Sequence, residues 1–211
     1  MAVGPFQRGL QTRLDAHVAD LLACTRCPRM FKPVVSGGPV VSKVLLVGQA
    51  PGVKEPVLQR PFAWTAGRNL FRWFHERCGV TEAEFRANVY MAAVCRCYPG
   101  KNPKGGDRVP MQEEIDNCAP WLETEIKLLK PELIIPVGKL AIAWFLKVAP
   151  LADLVGQRFT QTRLGVTYDL LPLPHPSGAS TWFHTEPGRT LLAEALAGIA
   201  SHPAWKATFA K

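Results

Sequence analysis

The chain has 211 residues, of which 47% are hydrophobic, a globular composition with enough length to bury one core. Lys and Arg number 25 against 17 Asp and Glu, and this net charge of +8 favours a polyanionic partner such as nucleic acid. Residues 1–24 carry scattered charges and no continuous apolar stretch of the signal-peptide type, and no apolar run approaches the length of a membrane span, so we expect a cytoplasmic protein.

Apolar runs typical of strands alternate with helical patterns along the chain. In chain order, the sequence predicts a helix over residues 10–22, a strand over 44–47, a helix over 66–78 with Thr65 as its N-cap, a strand over 89–94, a helix over 111–130, a strand over 133–137, a helix over 139–147, a strand over 167–173 and a helix over 190–200. Strands joined through helices require right-handed parallel crossovers, which predicts an α/β fold with helices on both faces of the sheet. Ligands of such folds bind at the carboxyl ends of the strands.

Residues 98–110 form a stretch rich in Pro, Gly and Lys. Predicted elements flank this stretch closely, so we interpret it as an ordered functional loop and not as a domain boundary. The sequence has no internal repeat and no low-complexity tract. We therefore expect a single domain over residues 1–211.

Four of the six cysteines suggest a metal site. Cys24 and Cys27 form a C-x2-C pair, whose short turn lets two thiolates face one metal centre. Cys97 follows a predicted strand and Cys118 lies in a predicted helix, so a site made of all four would clip the N-terminal helix onto the sheet. Tetrahedral sulfur ligation suits zinc and iron–sulfur clusters equally well.

The other two cysteines are less informative. Cys78 is interpreted as a buried thiol of a helix. Cys95 is an alternative to Cys97, because strand alternation turns residues two apart toward the same face. The spacing by itself does not choose between Cys95 and Cys97.

An ordered set of motifs resembles the uracil-DNA glycosylase superfamily, and specifically its iron–sulfur branch. The motifs are GQAPG at 48–52, RPF at 60–62, CYPG at 97–100, Cys118, PVG at 136–138 and HPSG at 175–178. The resemblance implies a three-layer α/β/α fold around a four-stranded parallel sheet, and a structural 4Fe–4S cluster. An ungapped comparison of residues 89–100 with the family places Cys97, and not Cys95, beside Cys24, Cys27 and Cys118 as ligands.

The resemblance also implies how a base is read. A base inside a duplex is out of reach, so such an enzyme extrudes it into a tight pocket. Gly48 and Gly52 allow close backbone approach, and the amides around Gln49 donate to a carbonyl of the base. Phe62 resembles the aromatic that stacks on the flipped base, and His175 resembles the histidine that donates to the uracil oxygen as negative charge develops there.

Further residues are expected to contact DNA. The loop that enters the minor groove in the family corresponds to Ser177, Gly178, Ala179 and Ser180. Either Trp182 or Phe183 is the candidate wedge that fills the vacated stack, or both belong to the core. Lys101, Lys104 and Arg108 lie in the loop after Cys97, where positive charge would meet phosphate.

The sequence departs from the family at several site positions. Gln49 stands where iron–sulfur members commonly have Glu, and Ala50 stands where the branch without a cluster has a catalytic Asp. Glu55 is then the nearest candidate to activate water. Ala93 replaces an Asn that reads the uracil edge in many members, which puts base specificity in doubt, and Asn102 is the nearby residue that could supply an amide.

The resemblance implies a monomeric, monofunctional DNA repair glycosylase, associated with the nucleoid. It would hydrolyse the N-glycosidic bond of uracil or another deaminated base and leave an abasic site. Two alternatives stay open: a DNA-binding relative with an iron–sulfur cluster and little catalysis, and an iron–sulfur redox module.

Overall fold

The computed structural model describes residues 5–178 and 180–210, and every helix and strand predicted from the sequence is present with bounds shifted by a few residues. None of the described helices is long and apolar enough to cross a membrane. In chain order, the elements are α1 (Pro5–Leu22), β1 (Val44–Gly48), α2 (Glu55–Leu58), α3 (Thr65–Cys78), α4 (Glu82–Asn88), β2 (Tyr90–Ala93), α5 (Gln112–Leu129), β3 (Leu133–Pro136), α6 (Lys139–Phe145), α7 (Leu151–Leu154), β4 (Phe159–Arg163), β5 (Val166–Leu170), a 3-10 helix (Trp182–His184), α8 (Gly188–Ser201) and α9 (Pro203–Thr208).

The sheet has five strands in the order β2-β1-β3-β5-β4. The four predicted strands are β1, β2, β3 and β5, and they pair in parallel as expected. The sequence analysis missed β4, an edge strand that pairs antiparallel with β5. The two-residue turn between them consists of Leu164 and Gly165, both with positive φ, and a turn that begins with Leu lacks the usual Asn-Gly signal of a hairpin.

Hydrophobic residues cover both faces of the sheet. Val44 and Leu46 of β1 belong to a cluster that contains side chains of α3, α8 and α9, whereas Leu45 and Val47 belong to a second cluster with α1 and α5. Successive strand residues point to opposite faces, so a strand buried on both faces is apolar at every position. The expected three-layer α/β/α arrangement is confirmed.

The start of α3 differs from the prediction. Trp64, and not Thr65, is the N-cap residue, and no side chain caps this end of the helix. The preceding stretch contains the short helix α2, for which no prediction was made from the sequence.

A buried polar network joins α1, β2 and α5. The carboxylate of Glu125 accepts hydrogen bonds from the Tyr90 hydroxyl at 2.7 Å and from Arg96, and His17 Nε2 lies 3.4 Å from it. Burial opposes ionisation of Glu125, but Arg96 and the hydrogen bonds from His17 and Tyr90 hold its pKa below the ordinary value. The network ties the N-terminal helix to the strand end that leads into Cys97.

We expect Glu125→Gln to lower the free energy of unfolding by about 3–5 kcal/mol, because it leaves the buried Arg96 without its counter-charge. Denaturant unfolding measures this change. The matched control is Glu123→Gln on the same helix, whose partly exposed carboxylate lies 3.7 Å from Arg163 and should cost under ~1 kcal/mol. Equal losses for the two variants would contradict the structural role of the network.

Candidate active site

A cavity of about 380 Å³ opens at the carboxyl ends of β1 and β2, within the size range of small-ligand pockets. It is lined by the turn 48–55, by Phe62 and Trp64, by the end of β2, by Asp107 and by His175. The predicted site residues that line it are Gly48, Gln49, Ala50, Gly52, Glu55, Phe62, Ala93, Arg108, His175 and Ser177. The fold therefore brings most of the motif residues into one cavity.

Gly48 lets an aromatic ring lie on the end of β1. A Cβ added at Gly48 would stand 3.0 Å from two ring carbons of Phe62, so any other residue would push the ring away. The carbonyls of Gly48 and Gln49 accept hydrogen bonds from the amides of Val94 and Cys95. These bonds fix the turn of the first motif against the end of β2.

Phe62 is held in an uncommon backbone conformation with φ of +52°. The guanidinium of Arg86 donates to the carbonyls of Pro61 at 2.9 Å and of Phe62 at 3.0 Å. A Cβ added at Gly67 would collide with the Phe62 carbonyl at 1.7 Å, so the first turn of α3 also requires Gly there. Phe62 is half-buried and presents its ring to the cavity from a rigid support.

Glu55 connects two walls of the cavity. One carboxylate oxygen accepts from the Gly52 amide at 2.7 Å, and the other accepts from the Ala63 amide at 3.1 Å. Burial raises the pKa of Glu55 above its ordinary value, and the two backbone hydrogen bonds oppose that rise. The contacts fit a carboxylate that clamps the motif turn to the segment carrying Phe62.

His175 lies after β5 and packs on Gly138, where an added Cβ would stand 3.0 Å from its ring. Its Nδ1 accepts a hydrogen bond from the amide of Ser177 at 3.3 Å, so in the neutral ring the proton is on Nε2. Burial lowers the pKa of His175 below the ordinary value. The side-chain amide of Asn69 on α3 fixes the loop further by donating to the Pro176 carbonyl at 2.9 Å.

The predicted DNA contacts in the loop 98–110 differ in their exposure and in their partners. Lys101 and Lys104 are exposed, whereas Arg108 donates two hydrogen bonds, at 2.7 and 2.6 Å, to the buried carboxylate of Glu114. Asn102 is exposed, and its side-chain oxygen accepts from the Lys104 amide at 2.9 Å, which makes it a turn-forming residue outside the cavity lining. Asn102 therefore does not stand in for the missing amide at position 93.

The loop after His175 is partly at the cavity and partly exposed. Ser177 lines the cavity, Gly178 is exposed, and the Ser180 amide donates to the Ser177 carbonyl at 3.0 Å. Ala179 lies outside the described residues.

Neither wedge candidate extends freely from the surface. Phe183 is buried with its ring centroid 4.9 Å from that of Trp73, which agrees with the alternative that this residue belongs to the core. Trp182 is half-buried and packs against Gly188. A Cβ added at Gly188 would stand 2.0 Å from the Trp182 carbonyl oxygen and 2.8 Å from a carbon of its ring, so the start of α8 requires Gly there.

Four thiols meet at a second, small cavity between the N-terminal segment, the loop after β2 and α5. Its lining includes Cys24, Cys27, Cys97 and Cys118, but not Cys95. Cys95 is fully buried, and its hydrogen bond to Cys118 is the main cause that lowers the pKa of Cys118 to about 6. The lowered pKa favours the thiolate, the form that binds metal, at Cys118, whereas burial raises the pKa of Cys27 to about 11 and that of Cys97 to about 12.

The donor set fits a four-thiolate cluster. Among residues 5–178 and 180–210, no three His, Cys, Asp or Glu side chains are arranged to hold one metal ion. A 4Fe–4S cluster binds each thiolate through a different iron, so its ligands need not converge on one point. Cys78, by contrast, lies at the end of α3 with its sulfur 3.8 Å from the Leu196 carbonyl, as expected for a thiol without a metal role.

Two cavity residues, Trp64 and Asp107, and one residue that supports the cavity wall, Arg86, were not identified from the sequence. Arg86 supports Phe62 from α4, and Trp64 is half-exposed at the cavity, with the Lys54 ammonium 5.8 Å from its ring centroid. Asp107 reaches the cavity from the loop 98–110. The one local signal among them is the aromatic Trp64 two positions after Phe62, and no local pattern marks Arg86 or Asp107.

Known proteins with similar sequences indicate the family to which this chain belongs. Residues 35–197 match the model of the uracil DNA glycosylase superfamily. The chain is 26% identical over 189 residues, 86% of this chain and 82% of the relative, to a protein of Saccharolobus solfataricus named Type-4 uracil-DNA glycosylase. It is 32% identical over 162 residues to the Type-4 uracil-DNA glycosylase of Pyrobaculum aerophilum, covering 73% of this chain and 78% of that one.

A second type of relative is also similar. A Type-5 uracil-DNA glycosylase of Thermus thermophilus is 30% identical over 159 residues, covering 61% of this chain and 69% of the relative. The family match spans both walls of the cavity, from the first motif to beyond His175. This chain belongs to the uracil-DNA glycosylase superfamily.

Proposed function

We propose that this protein hydrolyses the N-glycosidic bond of uracil, or of another deaminated base, in DNA and leaves an abasic site. The observation that carries the proposal is one cavity with the rigidly supported ring of Phe62 on one wall and the neutral imidazole of His175 on another. The relatives named uracil-DNA glycosylases support the substrate class. The enzyme would act as a monomer and without cleaving the DNA backbone.

The proposed chemistry separates binding from bond cleavage. An extruded base would stack on Phe62, while backbone amides of the turn 48–52 donate to its polar edge. As the glycosidic bond breaks, negative charge develops on the base, and the Nε2–H of His175 would donate to the oxygen that carries this charge. Burial lowers the pKa of His175, which favours the neutral imidazole, and the neutral ring offers its Nε2–H as a donor.

Ala93 lines the cavity without any hydrogen-bonding group. A pocket without a bidentate amide forfeits a contact commonly worth about 1–3 kcal/mol of discrimination between bases. We therefore infer that base selection depends on the backbone amides and on the shape of the pocket. Other deaminated bases should be accepted more readily than in relatives with Asn at this position.

We propose a structural 4Fe–4S cluster bound by Cys24, Cys27, Cys97 and Cys118, which line one small cavity. Lys32 and Arg96 also line that cavity and would offset the negative charge of four thiolates. The cluster would supply a crosslink between the segment after α1, the loop after β2 and helix α5. It would hold the N-terminal segment beside the sheet without taking part in the reaction.

A panel of oligonucleotides, each with one uracil, hypoxanthine, xanthine or ethenocytosine, tests the proposed function. The bases are placed in single- and double-stranded DNA, and release is followed as alkali-sensitive abasic sites on a gel. Release of uracil supports the glycosylase. A protein that binds DNA but releases no base would be a non-catalytic relative, and reversible reduction of a cluster coupled to a partner would indicate a redox module.

We expect Phe62→Ala to weaken excision by about 1–3 kcal/mol of transition-state stabilisation, because a base–aromatic stack is lost. Single-turnover kinetics and thermal unfolding are measured on the same samples. Phe183→Leu is the matched control, because this ring packs in the core on Trp73 and its change should lower stability with little effect on the rate. If the Phe62→Ala rate follows stability alone, Phe62 is only a core residue.

A further inference from the structure

The loop 98–110 brings a carboxylate against the turn of the first motif. A Cβ added at Gly52 would stand 3.2 Å from Asp107 Oδ2 and 4.0 Å from an oxygen of Glu55. Asp107 lines the same cavity as Phe62 and His175. Since 55 positions separate Gly52 from Asp107, only folding of the loop makes this contact.

Asp107 is positioned by contacts that leave one of its oxygens available. The hydroxyl of Tyr98 donates to Oδ1 at 2.9 Å, and an isolated antiparallel bridge between Lys101 and Asp107 closes the loop. Tyr98 is itself buried and packs against Phe31. Among the described residues, no hydrogen-bond donor reaches Oδ2, which faces the motif turn at the solvent-accessible side of the cavity.

Glu55, the carboxylate nearest in sequence, is differently engaged. Both of its oxygens accept hydrogen bonds from backbone amides, those of Gly52 and Ala63, and its side chain is buried. A carboxylate held in this way stabilises the turn, whereas a base must have an oxygen within reach of water. Within the described residues, Asp107 is the other carboxylate that lines the cavity.

We propose that Asp107 is the catalytic carboxylate that orients and deprotonates the attacking water, an inference that rests on the proposed glycosylase function. The water oxygen forms a bond to C1′ of the deoxyribose, and the bond between C1′ and the base nitrogen breaks with its electron pair leaving on the base. Asp107 Oδ2 accepts the proton of the water. The products are a 1′-hydroxyl abasic sugar and the base anion, which is stabilised by His175 and later protonated by solvent.

This assignment gives Gly52 a function beyond its turn. A side chain at position 52 would occupy the space between the motif turn and the carboxylate, because its Cβ alone comes within 3.2 Å of Oδ2. The family position that holds a catalytic Asp elsewhere is Ala50 here, on the same turn. A carboxylate supplied from the loop 98–110 thus compensates for the one that the turn lacks.

The test compares Asp107→Asn with wild type in single-turnover excision of uracil. Asparagine keeps an oxygen that can accept from Tyr98, so the loop should stay ordered while the base is lost. We expect the rate to fall about 10²-fold or more, the usual scale for removal of a general base. Binding to DNA that carries 2′-fluoro-deoxyuridine, which resists hydrolysis, should not weaken.

Two further variants separate catalysis from structure and charge. Tyr98→Phe removes only the hydrogen bond to Oδ1 and should slow excision less than Asp107→Asn does. Asp153→Asn makes the same change of charge on the exposed surface of α7, away from the cavity lining, and should leave the rate unchanged.

Three results would overturn the inference. These are wild-type excision by Asp107→Asn, a loss that follows weaker binding of the fluorinated DNA, and equal losses for Asp107→Asn and Asp153→Asn. If the wild-type protein itself releases no base from any oligonucleotide, the proposed function fails and this inference fails with it. Excision by wild type with an unaffected Asp107→Asn rejects the role of Asp107 alone.

Discussion

Replacing His175 by Ala is expected to slow single-turnover excision of uracil by about 10²-fold or more, the scale reported for removal of one donor to a developing oxyanion. The reason is geometric: Nδ1 is occupied by the Ser177 amide, so Nε2–H is the donor that the ring offers to the cavity. Departure of the base leaves negative charge on it, so the hydrogen bond from Nε2–H to the base is stronger in the transition state than in the ground state. DNA affinity should change little.

The control for this variant is His184→Ala, which alters an exposed histidine of the 3-10 helix outside the cavity lining. Glu55→Gln provides a second comparison and should cost less than His175→Ala. The two oxygens of the Glu55 carboxylate accept from the Gly52 and Ala63 amides, whereas the side chain of Gln has only one accepting oxygen. The change therefore loosens the turn. A larger loss for Glu55→Gln would show that water activation by Glu55 dominates.

Cys97→Ser is expected to abolish the visible absorbance and the iron content of the purified protein. Cys97 lines the small cavity with the other three proposed ligands, and loss of a structural metal centre removes its contribution to folding. We therefore expect a lower unfolding temperature as well as the loss of colour. Iron analysis and visible spectra of protein prepared without oxygen measure the first effect, and calorimetry measures the second.

Cys95→Ser and Cys78→Ser are the matched controls. Cys95 lies outside the cavity lining although it contacts Cys118, and Cys78 faces the Leu196 carbonyl at the end of α3. Both variants should retain iron and colour. A bleached Cys95→Ser protein together with a coloured Cys97→Ser protein would reverse the ligand assignment.

The sequence alone determined the layers of the fold and the location of the site. Runs such as residues 44–47 are apolar at every position because both faces of the sheet are covered, and a local pattern is sufficient to detect them. Some turn residues are also recognisable from local sequence. Gly48 and Gly138 are required because the rings of Phe62 and His175 lie directly on the backbone there. Strand ends and motif turns were therefore predictable.

Only the tertiary structure decided which side chains meet across the chain. Arg108 was predicted to bind phosphate, but in the structure it donates two hydrogen bonds to the carboxylate of Glu114. Phe183 was a candidate wedge, but it packs on Trp73 in the core. A positive charge in a loop and an aromatic after a turn have the same local pattern whether they face solvent or a partner, so their partners had to be observed.

The two carboxylates of the cavity, those of Glu55 and Asp107, show most clearly that sequence position does not reveal contacts between distant residues. Glu55 was favoured because it follows the motif turn in sequence, whereas in the structure its oxygens are occupied by backbone amides. Asp107 is distant in sequence and reaches Gly52 only because the loop 98–110 folds back through its bridge at Lys101 and the hydrogen bond from Tyr98. Periodicity and turn chemistry act over a few residues, but the path of a long loop depends on the surface on which it packs.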